Sequence, residues 1–66
     1  MNYHQFLVAL LTTARDMNNM FMDEHWDIAT GQIEAPYKKE LDKMMLVTSK
    51  LSTELVNYES EEKHDN

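Results

Sequence analysis

Cysteine is absent from this 66-residue chain, and glycine and proline occur once each. Without cysteine, neither a disulfide framework nor a thiolate zinc site can hold a small fold together. Basic residues are few: six Lys plus Arg stand against twelve Asp plus Glu, a net charge of -6. That balance excludes a general electrostatic grip on nucleic-acid phosphates. Long hydrophobic runs are missing too. Phe6-Leu7-Val8-Ala9-Leu10-Leu11 has no Lys or Arg before it and ends at Arg15-Asp16 without a small-residue cleavage site. It is too short for a signal sequence or for a membrane span, which needs about 20 apolar residues. The chain therefore reads as cytoplasmic, with no membrane partner. At 7.8 kDa, size scaling gives a folded surface of roughly 4,400 Å² against roughly 11,000 Å² unfolded, so a monomer buries only about 60% of its surface. Oligomerisation or a partner is the expected supplement.

The one glycine and the one proline, Gly31 and Pro36, mark a single loop. The segments on either side are rich in Leu, Met, Ala, Lys and Glu, which lose little rotamer freedom in a helix. They predict helix 1 over residues 3–29, a loop over 30–35 and helix 2 over 36–58, forming one domain over 1–58. Asn2 and Gln5 have capping-box spacing at the first helix start. Gly31 can end that helix in the left-handed region, and Pro36 can open the second at no hydrogen-bond cost. Residues 59–66 contain no apolar residue and are expected to form an acidic disordered tail. A break at Asn18-Asn19, both turn-favouring residues, would give three helices instead of two.

Apolar residues recur at alternating four and three spacing. In helix 1 the stripe is Tyr3, Leu7, Leu10, Ala14, Met17 and Phe21, continued by Glu24 and Ile28; in helix 2 it is Tyr37, Leu41, Met44, Thr48, Leu51, Leu55 and Tyr58. These predict the seam of an all-α antiparallel helical hairpin. Phe6, Val8, Leu11, Met20, Met22 and Trp26, with Met45, Leu46, Val47 and Val56, lie outside the seam. Two strips cannot cover them. The expected solution is a homodimeric four-helix bundle, with Phe6, Leu10, Met17, Phe21, Met44 and Leu51 at the oligomer interface. Docking on a different protein is the alternative use of the same surface.

Charge is sorted by face. At 100° per residue, Asn2, Gln5, Thr12, Asp16, Asp23 and Asp27 line the back of helix 1, whereas Lys39, Lys43 and Lys50 line that of helix 2. His4, His25 and His64 include no i, i+4 pair for zinc, and Asp23-Glu24-His25-Trp26-Asp27 offers only one Glu-x-x-Asp spacing. His25 is expected at the edge of the seam, hydrogen-bonding across it. Ser49, Ser52 and Ser60 lack a nucleophile elbow, and one glycine cannot build a phosphate loop. No catalytic residue, cofactor or metal is expected.

Lys38-Lys39-Glu40-Leu41-Asp42, following a long helix and a loop, resembles the Ser-Gln-Glu-Leu-Asp motif of the sporulation aspartyl-phosphate phosphatases, small helical hairpins. The match is direct at Glu40, Leu41 and Asp42, with Lys38 and Lys39 in place of the family's Ser and Gln. The resemblance implies that Glu40 and Asp42 act on a phosphorylated response regulator. The residues themselves point first to a different class: a small acidic, non-enzymatic interaction module that inhibits or modulates a macromolecule. By composition the chain is similar to inhibitors that phages and mobile elements direct at host machinery such as CRISPR nucleases. Asp16, Asp23 and Asp27, with Met22 and Trp26, are the expected partner-binding residues, fitted to a protein with a basic nucleic-acid-binding groove. A structural bundle shielding a partner helix is a third reading.

Overall fold

A computed structural model describes residues 2–64, with side chains through Glu61. The order of elements is α1 (Tyr3–Glu24), β1 (Trp26–Asp27), β2 (Gln32–Ile33), a 3-10 turn (Ala35–Tyr37) and α2 (Lys38–His64). The two helices pack antiparallel as a hairpin. Tyr3 meets Tyr58 at the open end, Asn18 meets Thr48 midway, and Phe21 meets Tyr37 near the turn.

The start of α1 follows the capping-box expectation. Asn2 Oδ1 accepts from the Gln5 N–H at 2.8 Å, and Gln5 Oε1 accepts from the Asn2 N–H at 3.3 Å. Two backbone donors of the first turn are thereby satisfied. The far end of α1 differs from expectation: the helix stops at Glu24, five residues short of Ala29. Residues 26–33 instead close a short antiparallel hairpin, with Trp26 opposite Ile33 and Asp27 opposite Gln32, so the connection is not purely helical. Asp27 drives the turn, because its carboxylate accepts from the Ala29 N–H at 2.9 Å while its carbonyl accepts from Gly31. Gly31 does adopt positive φ, at 68°, but inside this β-turn rather than at a helix end. Pro36 sits in the first turn of the 3-10 segment leading into α2.

The three-helix alternative falls away, and two further expectations are corrected. Helix α1 runs unbroken through Asn18-Asn19, because the Asn18 side chain finds a partner across the seam instead of its own backbone. Helix α2 continues through residues 59–64, where a tail was expected, since Glu, Ser and Lys extend an established helix at little cost; residues 65 and 66 lie outside the described residues. The seam of α1 is also rotated by about one residue. It runs through His4, Leu7, Leu11, Ala14, Asn18, Phe21, Met22 and His25, which are buried or half-buried, while Tyr3, Leu10 and Met17 lie outside it. The seam of α2 follows the expected positions Leu41, Met44, Thr48, Leu51, Leu55 and Tyr58, with Ser52 also half-buried.

The resulting core is thin. Among the described residues only Leu7, Leu11 and Leu41 are buried. The chain measures 53 × 19 × 15 Å with a radius of gyration of 15.4 Å, whereas a compact chain of this length has about 11 Å. Its thinnest dimension is close to a single helix diameter of about 10–12 Å. The hairpin is one layer, and both of its broad faces are open.

Candidate interaction surface

The rotated seam splits the exposed side chains into two flanks. On the first, Tyr3, Phe6, Leu10, Met17 and Met20 recur along α1 at helical spacing, all between 38% and 70% exposed. Shallow grooves run along this flank. Phe6, Ala9, Leu10 and Thr13 line one; Ala14, Met17, Met44 and Val47 line a second; Met17, Met20, Phe21 and Glu24 line a third. The α2 side of the flank carries Glu40, Lys43, Val47, Lys50, Glu54 and Glu61 at the same kind of spacing. Glu40 and Lys43 pair at 3.7 Å, both exposed. The second flank is mixed: an open groove of about 340 Å³ is lined by Arg15, Asn18, Met45, Thr48, Ser49, Ser52 and Thr53, and Val8 and Val56, which share its helical register, are exposed beside it.

At the open end Tyr3 reaches across to α2. Its hydroxyl donates to Glu54 Oε1 at 3.1 Å, and its ring meets Tyr58 edge-on at 5.2 Å. The carboxylate that accepts this proton holds the Tyr3 hydroxyl above its ordinary 10.0. His4 stacks on Tyr58 at 6.0 Å, with Nε2 3.3 Å from Glu59 Oε1.

At the turn, His25 caps α1: its N–H donates to the Phe21 carbonyl at 3.1 Å and its own carbonyl accepts from Glu34 at 2.8 Å. Its ring stacks on Tyr37 at 3.6 Å and lies 4.8 Å from Phe21, and Nδ1 stands 3.5 Å from Glu34 Oε1. The edge position expected for His25 therefore comes with aromatic stacking that ties the β-hairpin to both helices. Beyond it Trp26 is 45% exposed and Ile28, at the tip, is 89% exposed.

The residues assigned to partner binding are dispersed. Asp16 and Asp23, seven apart, share the exposed back of α1. Asp27 leaves that stripe, being half-buried in β1 with its carboxylate engaged by Ala29. Met22 is half-buried on the seam side, and Trp26 belongs to the tip. Of the residues assigned to the oligomer interface, Phe6, Leu10 and Met17 lie together on the apolar flank, while Phe21, Met44 and Leu51 are half-buried within the hairpin itself. In the phosphatase-like segment, Leu41 is buried in the seam, while Glu40 and Asp42 are exposed on either side of it. Tyr37's stacking role was missed; an aromatic directly after the one proline was the available signal.

No protein-family model, curated protein or solved structure matches the chain. Among the described residues, no three His, Asp or Glu side chains come together as metal ligands, and no helix is long and apolar enough to cross a membrane.

Proposed function

We propose that this chain is a non-enzymatic interaction module that works as a homodimeric four-helix bundle, and that its uncovered acidic surface engages a basic, nucleic-acid-binding protein surface to inhibit or modulate it. The uncovered apolar flank on a one-layer hairpin carries this reading. The accessible surface is 5362 Å², about 1,000 Å² more than size scaling allows a compact chain of this mass. A standard interface removes about 800 Å² from each partner. The excess and the requirement are of one size.

Packing the apolar flanks together leaves the back of α1 and the turn facing outwards. From Asp16 to Tyr37 the chain has Asp16, Asp23, Glu24, Asp27 and Glu34 and no Lys or Arg. Such a stretch steers a molecule towards basic surfaces and makes association salt-sensitive.

Two measurements test the reading. Sedimentation should give a mass near twice 7.8 kDa at micromolar concentration, and a monomer overturns the dimer. The immobilised chain should retain nucleic-acid-binding proteins from a lysate, released by salt and by excess duplex DNA. Retention that survives Asp16→Lys with Asp23→Lys overturns the acidic-surface mechanism.

A further inference from the structure

We infer that the two hairpins pack with their turns at opposite ends, α1 against α1 and α2 against α2, so that the dimer presents one β-hairpin tip at each pole. This deepens the proposed dimer and rests on it.

Two identical flat layers can meet face to face by two-fold symmetry in only two ways. An axis along the length of the hairpin keeps the turns together and lays α1 of each copy over α2 of the other. An axis across the length puts the turns at opposite ends and lays each helix on its own counterpart. The apolar flank decides between them, because its two helices are unlike. Helix α1 contributes Tyr3, Phe6, Leu10, Met17 and Met20, whereas α2 contributes Glu40, Lys43, Val47, Lys50, Glu54 and Glu61. With the turns together, the apolar stripe would lie on a row of charges, stripping those charges of water without covering the stripe. With the turns apart, the stripe packs on itself.

Register agrees with this choice. Centring α1 on its own stripe, between Leu10 and Thr13, sets Tyr3 against the other copy's Met20 and Phe6 against its Met17. The contacts Tyr3–Tyr58 and Asn18–Thr48 place the middle of that stripe level with Ser52 and its neighbours on α2. Reflecting α2 about that level brings Lys50 to Glu54 and Lys43 to Glu61, opposite charges in each pair. The same operation that pairs apolar with apolar also pairs plus with minus.

The chain has no cysteine, so one introduced thiol reports alone. Ile28→Cys lies at the 89% exposed tip, where a spin label disturbs no packing. Pulsed dipolar spectroscopy on the labelled dimer should give a distance of about 50 Å, close to the 53 Å length of the hairpin. A mixed dimer of Ile28→Cys with Asn57→Cys should give less than half of that. A short Ile28–Ile28 distance, or a long mixed one, overturns the orientation while leaving the dimer intact. A monomeric mass with no intermolecular distance overturns the dimer and this inference together.

Discussion

The two flanks of the seam are made from the same two helices and differ in how their exposed apolar residues are arranged. One shows Phe6, Leu10, Met17 and Met20 in a row along α1; the other sets Val8, Met45 and Val56 among Arg15, Ser49, Ser52 and Thr53. A pair of amphipathic helices needs one apolar stripe on each to close a seam. Helix α1 has two, and the second is covered by nothing in its own hairpin. The second flank interrupts its apolar side chains with hydroxyls and Arg15; on the first they run together along one helix, which is what an unfinished core looks like.

The comparison breaks most severely at the seam both flanks share. Leu11→Ala removes one of three buried leucines and should cost about 2–5 kcal/mol, a large part of a small domain's stability; chemical denaturation measures it. Next comes the asymmetry itself. Leu10→Asp with Met17→Asp should weaken the proposed dimer by at least about 100-fold, since each would bury an unpaired carboxylate. Ser49→Asp with Ser52→Asp, on the other flank, should leave the mass unchanged, and equal effects from the two pairs would erase the distinction. Asn18→Ala tests the link between the helices. Its Nδ2 donates to Thr48 Oγ1 at 2.7 Å, while that hydroxyl still donates to the Met44 carbonyl at 3.0 Å. The loss should be about 1 kcal/mol, seen as a lower unfolding midpoint. The smallest effect is at Tyr3, whose hydroxyl titrates above 10.0 because Glu54 accepts its proton. The neutral form is favoured by folding, so this contribution is present below pH 10.0 and is lost as pH rises through the folded value. Glu54→Gln should lower the midpoint of phenolate absorbance at this residue.

These tests also mark how far the residues spoke for the fold. The two helices, the capping box at Asn2 and the seam of α2 could all be read from spacing and residue chemistry. The seam of α1 could not be read from apolarity alone. Two registers run through it, sharing Leu7, Ala14 and Phe21. One adds Tyr3, Leu10 and Met17; the other adds His4, Leu11, Asn18 and His25. Counting apolar residues selects the first. The fold takes the second because its polar members find partners: Asn18 meets Thr48, a half-buried polar residue of the opposite seam, and His25 stacks on Tyr37. A polar residue in one seam was the signal for a polar residue in the other. The end of α1 was misread for a related reason. Trp26, Asp27 and Ile28 look apolar and acidic enough to extend a helix, but the Asp27 side chain competes for the backbone and Gly31 completes a turn. The acidic stripe lost Asp27 by the same event.

The single tryptophan lies beside the tip, at the opposite end from Tyr3 and Tyr58. Within one hairpin these two donors are separated from the indole by the length of α1, about 33 Å at 1.5 Å per residue. In a pair with turns at opposite poles, each indole comes close to the phenols of the other copy. Excitation absorbed by Tyr3 and Tyr58 would then emerge as tryptophan light only when two chains meet. It comes on top of a constant share from Tyr37, which stacks on the neighbouring His25 within each chain, and that rise makes the unlabelled protein an optical gauge of its own assembly.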